Sequence, residues 1–270
     1  MKPIKIIVFL LLTTFSAGLK AQSLSLSKLT VPLSEPGKPY RLNLDLKSDS
    51  INLSVYGGKE ILIEAASAEK KEQSAGHGML LIQSGSSRDI IAQEKNNVVS
   101  VTSATSRREA AMLNIKIPAG ATNIKLTVND GTISASDISG DIEVNNLHGN
   151  ITLTNVSGSV VASSNQGNIK VGFKSVTANS AMAFSTLRGN VDVSLPATFK
   201  GNAKLRSYQG SIYSDFNIDL EKTANKVTKT PSDGAYHMSA DDWINGKIGG
   251  GGQELMMKTY RGNIYLRKTK

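Results

Sequence analysis

From Asn129 to Val171 a glycine returns every nine residues, at Gly131, Gly140, Gly149, Gly158 and Gly167. Two positions after each comes an aliphatic residue: Ile133, Ile142, Ile151, Val160 and Ile169. Two further on stand Ala135, Val144, Leu153, Ala162 and Val171. Three beyond that come Ile138, Leu147 and Val156, until Asn165 breaks the rule. A fixed short period marks a repeat architecture. The step of two is strand alternation, and the step of three predicts a bend. The glycine then points inward, or occupies a corner where a Cβ would collide. One such unit buries a single face and cannot fold alone, but stacked units share a core.

The Gly-[Asn/Ser]-[Ile/Val] signature returns at Gly189, Gly210 and Gly262. The steps from 167 to 189 and from 189 to 210 are 22 and 21 residues. One coil therefore needs about two of the nine-residue strands plus corners of variable length, with two or three faces both open. The expected fold is all-β: a single-domain β-solenoid, parallel β-helix-like, with irregular N-terminal coils. Residues 22–110 form the irregular N-terminal β region or cap, and residues 111–270 form the repeat solenoid. A polar excursion interrupts it at 217–241, around KTANKVTKTPSDG.

Residues 1–21 read as a secretory signal peptide. Lys2 and Lys5 precede an apolar run from Ile6 to Leu12, too short to span a bilayer comfortably. Loss of Lys2, Lys5 and Lys20 takes the formal net charge from +9 to +6, and no later segment is apolar enough for a transmembrane helix. The 270-residue chain has no cysteine, which excludes disulfides, thiolate metal sites and a Cys nucleophile. Export without disulfides leaves packing and backbone ladders to stabilise the fold. The expected location is the periplasm or the cell surface.

The array and its flanks resemble a family of bacterial exported proteins of unknown function, described as candidate adhesins with β-strand repeats. The residues that carry the resemblance are the Ile-Pro strand ending at Pro118, Leu126 to Gly131, and the Gly-Asp-Ile-Glu-Val and Gly-Asn-Ile-Thr-Leu units. Arg188 to Pro196 and Thr259 to Ile264 extend it, so that it covers roughly residues 110–270. The resemblance implies a β-helix-like fold at the cell envelope and a role in adhesion. It brings no catalytic or binding residues to this chain.

Candidate chemistry is sparse. His77, His148 and His237 have no second ligand at metal spacing, and they read as exposed residues. Asp130, Asp137, Asp141 and Glu143 fall on the array, with Asp141 and Glu143 pointing outward beside the inward Ile142 and Val144. No Arg or Lys is expected to accompany them until Lys170. Paired carboxylates would suit a carbohydrate-active β-helix enzyme acting on acidic polysaccharide, the alternative to a non-enzymatic role. Asn129, Asn145, Asn146, Asn155 and Asn165 read as corner residues able to form hydrogen-bonded ladders. Gly249 to Gly252 lack a phosphate-loop context and read as a turn. Lys200, Lys204, Arg206, Arg267, Lys268 and Lys270 suggest a basic surface late in the solenoid, and Tyr208, Tyr213, Tyr260 and Tyr265 flank the late glycines. Aromatic residues are only 5%, which argues against a stacking platform, and packing between neighbouring coils is the preferred role for the tyrosines. The expected function is an adhesin-like scaffold without enzymatic activity, metal or other cofactor. It presents rigid faces to an envelope or extracellular polysaccharide, or to a surface protein, and no nucleic-acid partner is expected.

Overall fold

The computed structural model describes residues 26–66, 90–103, 112–221 and 243–269, and all of them lie in strands or connecting turns. The signal-peptide reading, His77, His237 and Lys270 fall outside these residues, as does most of the 217–241 excursion. The excursion's first described part is not loop: Ile218–Leu220 is a strand paired with the one at Ile244–Ile248.

The strands form two ladders. The first runs, in spatial order, β5 (Ile90–Lys95), β6 (Val98–Ser103), β2 (Tyr40–Leu46), β8 (Ala121–Asp130) and β10 (Ser139–His148). It continues through the second half of β11 (Ile151–Gln166), β13 (Met182–Arg188), β19 (Gln253–Arg261), β15 (Gly201–Gln209), β18 (Ile244–Ile248) and β17 (Ile218–Leu220). The second ladder runs β1 (Leu26–Pro32), β4 (Glu60–Ala66), β7 (Met112–Pro118), β3 (Ser50–Tyr56), β9 (Ile133–Ser136) and the first half of β11. It ends with β12 (Ile169–Val176), β14 (Val191–Leu195), β20 (Ile264–Lys268) and β16 (Ile212–Ser214). The chain is a two-sided β-solenoid.

Register fixes the coil. Ile142 pairs with Val160 in the first ladder, and Ile151 pairs with Ile169 in the second, each eighteen residues on. The nine-residue spacing is therefore half a coil, and successive units belong to opposite ladders. The +2 and +4 residues after each array glycine turn inward: Ile133, Ile142, Ile151, Val160 and Ile169 are at most 3% exposed. Each buried aliphatic of this kind contributes roughly 1.5–3 kcal/mol. The two layers meet at Phe173 and Phe184, whose rings pack edge to face at 6.4 Å.

The third apolar position of the consensus behaves differently in the two ladders. Ile138 and Val156 are fully buried, but Leu147 is 44% exposed. The two corners explain the difference. Asp137 and Asn155 adopt left-handed φ of 59° and 55°, which swings the following residue into the core. The other corner has no such residue before its glycine. Strand alternation runs on through buried Asn146, so Leu147 faces out, in line with Asn129 and Asn165. The break at Asn165 belongs to an outward column and not to the core.

That second corner is lined by glycine. A Cβ on Gly149 would lie 2.0 Å from the Gly131 carbonyl oxygen, one on Gly167 1.9 Å from that of Gly149, and one on Gly189 2.1 Å from that of Gly167. Gly262 stands the same way against Gly189, and Gly210 against Gly262, at 2.0 Å each. On the opposite corner Gly158 meets the Gly140 carbonyl at 2.0 Å. These backbones approach too closely for any side chain. Beside the long glycine column runs an amide ladder. Asn150, Asn168, Asn190 and Asn263 each accept, on Oδ1, the backbone N–H of the next coil, at 2.8–2.9 Å, and the series ends on Ser211. Three residues before the glycines, Asn146, Thr186, Thr259 and Ser207 donate to glycine carbonyls one coil away.

Chain order and spatial order diverge at both ends. The coil of β2 and β3 lies between β6–β7 and β8–β9, and the coil of β19 and β20 lies between β13–β14 and β15–β16. Within the N-terminal region, then, Tyr40–Tyr56 is a regular coil inserted into the stack, anchored by Tyr40 Oη donating to the Pro118 carbonyl at 2.6 Å. The irregularity resides in β1, β4 and β5, which pair antiparallel. At the other end β18 and β17 are antiparallel additions. Reversed strands at a ladder's end interrupt the pattern on which a further parallel coil would stack.

Candidate functional site

A solenoid turns each outward position into a column, because residues one coil apart stand one strand spacing from each other, about 4.8 Å. The outer face of the first ladder carries the most informative columns. Near the array Lys125 reaches Glu143 at 3.0 Å, and Asn145 donates to the same carboxylate at 2.9 Å. The hydrogen bond from Lys125 holds the Glu143 carboxyl below its ordinary range. Asp141 accepts from Ser159 Oγ at 2.6 Å, and Ser163 donates to Asn145. His148 Nδ1 lies 2.9 Å from Asp130, one coil back. Asp137 accepts from Asn155. The carboxylates singled out in the sequence are thus tied to their neighbours on adjacent coils. Contrary to the expectation of no basic companion before Lys170, Lys125 accompanies Glu143. It precedes Glu143 by eighteen residues, and eighteen residues is one coil.

At the C-terminal end the columns change character. The column two residues before each glycine reads Asn129, Leu147, Asn165, Leu187, Tyr260 and Tyr208 along the ladder. Leu187, Tyr260 and Tyr208 are 45%, 38% and 54% exposed, so the column ends in an exposed apolar and aromatic stripe. The two tyrosine rings are parallel, with centroids 4.8 Å apart. On one side of the stripe lie Arg206 and Lys258, which face each other in register. On the corner side lie Arg261 and Arg188, also in register. Arg261 Nε donates to Gln209 at 3.1 Å, and its guanidinium carbon lies 6.0 Å from the Tyr260 ring centre. Trp243, next to β18, takes Lys204 at 4.8 Å and Arg206 at 5.6 Å over its ring.

Across the corner, on the outer face of the second ladder, Tyr213 and Tyr265 repeat the arrangement with centroids 5.2 Å apart. Arg267 caps Tyr265 at 4.8 Å and pairs with Asp192 at 2.9 Å. That carboxylate's hydrogen bond raises the Arg267 pKa further. Lys268 lies over Phe216, and Lys200 flanks Gly249. The four tyrosines do pack between neighbouring coils, as expected from the sequence. They also leave Tyr208 and Tyr213 more than half exposed. The contributions of Arg188, Lys258 and Trp243 were not foreseen. They become visible only when residues 188, 206, 258 and 261 are placed on adjacent strands, which chain spacing alone does not do.

Among the described residues no three histidine, aspartate or glutamate side chains cluster at metal-binding distance, and no helix is long and apolar enough to cross a membrane. The geometry defines a class: a repeat scaffold whose regular feature is its columns of outward side chains. The chain belongs to the Toastrack DUF4097 family, whose profile matches residues 80–242. Among solved structures it is similar to a candidate cell adhesion protein from Clostridium sporogenes ATCC 15579, at 13% identity and a TM-score of 0.40, covering 90% of this chain and 100% of that one. It is also similar to a candidate adhesin from Bacteroides fragilis NCTC 9343, at 13% identity and a TM-score of 0.41, covering 92% of this chain and 98% of that one. No curated protein sequence matches it.

Proposed function

We propose that the protein is a non-enzymatic, exported component of the cell envelope that acts as an adhesin-like scaffold. On this reading residues 1–21 direct export and are removed. Residues 22–110 cap the stack and contribute one inserted coil, and residues 111–270 present the repeat faces. The glycine columns at 131, 149, 167, 189, 262 and 210, and at 140 and 158, hold those faces straight. The binding partner is an envelope or extracellular polysaccharide, or a surface protein, in the periplasm or at the cell surface.

The observation that carries the reading is the exposed stripe of Leu187, Tyr260 and Tyr208. Exposed aromatic and aliphatic side chains aligned on a rigid face are typical of interaction surfaces. The carboxylates at 141 and 143 support it too, since Ser159, Lys125 and Asn145 engage them as parts of the face. The test is binding of the purified chain to a glycan array and to intact cells, against a variant with the outward positions of β10, β13, β15 and β19 replaced by Ser. Retention by the wild type and loss in the variant is expected. Equal, background-level retention of both would overturn the reading.

A further inference from the structure

The end of the first ladder holds an arrangement that its own stability does not explain. Arg188 and Arg261 stand directly opposite each other on adjacent strands. Lys258 and Arg206 are also in register, and there Arg206 is engaged, with its guanidinium over the Trp243 ring at 5.6 Å. Like charges directly opposite on neighbouring strands are destabilising. Among the described residues no carboxylate lies within ion-pair distance of Arg188, Lys258 or Arg261. On the same two outer faces Lys125 meets Glu143 and Arg267 meets Asp192 across adjacent coils. The two like-charge pairs flank the Tyr208–Tyr260 stack on both sides.

We propose that this patch is a binding site for an acidic polysaccharide, one bearing a carboxylate or sulfate on its repeating units. The inference rests on the scaffold reading above and names the ligand class for one of its faces. The cations repeat at the strand spacing along the ladder axis, so a polymer lying along that axis meets a cation at each coil. A single small anion would answer only one pair. Arg261 and Arg188 offer planar donors suited to two-point contact with a carboxylate or sulfate. Tyr208 supplies the apolar surface for a sugar ring. One face of its ring is covered by Tyr260, and the residue as a whole is still 54% exposed. A nucleic-acid strand would instead need several separate ring faces for successive bases, and here the two rings are closed on each other.

The test uses the full chain and its Arg188→Gln/Arg261→Gln, Lys258→Gln and Tyr208→Ala variants, each first checked for an unchanged thermal melt. Calorimetry with polygalacturonate, heparin, neutral dextran and an oligo-dT strand provides the readout. Binding to polygalacturonate or heparin is expected, weakening with salt and falling at least about tenfold in the double arginine variant and in Tyr208→Ala. Dextran and oligo-dT should bind more weakly than either acidic glycan. Equal affinity of wild type and variants for the acidic glycans sinks the site but leaves the scaffold reading standing. Preference for oligo-dT, or no glycan binding while cells are still retained, also overturns the site alone. Failure on the cells and on every glycan removes both.

Discussion

Gly149 and Gly131 are in backbone contact: the Cβ that Gly149 lacks would stand 2.0 Å from the Gly131 carbonyl oxygen one coil away. The same relation recurs up the stack, so the nine-residue glycine is there because of the coil beneath it. At Gly167 the gap is 1.9 Å and the obstacle is again backbone, which cannot rotate aside. Gly167→Ala should therefore lower unfolding free energy by ~3 kcal/mol or more, in the range of severe overpacking. Gly57 lies in a turn with open space where its Cβ would go. Gly57→Ala should change stability by no more than ~0.5 kcal/mol. Urea unfolding of the two variants checks the contrast.

Asn190 links two coils through its Oδ1, which accepts the Asn263 N–H at 2.8 Å, while its own N–H is taken by Asn168. Removing the acceptor leaves the Asn263 amide without its partner. Asn190→Ala should cost ~1 kcal/mol, and Asn190→Asp, which keeps the oxygen, should cost less. Hydrogen exchange at the Asn263 amide should quicken in the alanine variant and much less in the aspartate variant.

The period, the strand alternation and the need for tight corners were all legible in residues 129–171, because each depends only on neighbours in the chain. The number of faces was not. It depends on whether the unit after Gly140 stacks on the unit after Gly131 or on the one after Gly158, and both have the same apolar pattern. The outward exposure of Leu147 follows from that choice, as does the pairing of Lys125 with Glu143. The inserted coils were hidden for a related reason. Any strand with inward residues at alternate positions fits any place in a parallel ladder, so the slot taken by Leu255 and Met257 is set by long-range register. For the candidate site, the sequence pointed to the four tyrosines and to Lys204 and Arg206. The opposed arginines needed strands 73 residues apart in the chain to be adjacent.

The Lys125–Glu143 contact should be visible in the acid range. The lysine's hydrogen bond depresses the Glu143 carboxyl below its ordinary value of 4.5. A depressed folded-state carboxyl contributes stability that is present above the unfolded value and is lost as pH falls through the folded one. Both side chains are nearly half exposed, so the contribution should be under ~1 kcal/mol. In a carbon-detected NMR titration the Glu143 midpoint should lie below 4.5 and return toward it in Lys125→Met. An unchanged midpoint would show that the contact is not populated in solution.

The C-terminal coil allows a sharper test of the architecture. β19 separates β13 from β15, and β20 separates β14 from β16. Deleting residues 253–270 therefore opens a gap inside the stack and does not simply shorten it. The segment from Pro196 to Lys200 carries the chain over that gap, and Phe199 is fixed by packing against Phe216. For β15 to dock onto β13 it would have to give up this anchorage and move by one strand spacing, about 4.8 Å. In a solenoid each coil contacts only its neighbours, so damage should stay local. Hydrogen exchange should show β15 and β18 losing protection in the truncated chain while β8, β10 and the second half of β11 keep theirs. Uniform loss would mean that the terminal coil supports the whole stack. Unchanged protection in β15 would mean that the ladder closes over the gap, and the order β13–β19–β15 would then be a preference of the intact chain and not a requirement of the fold.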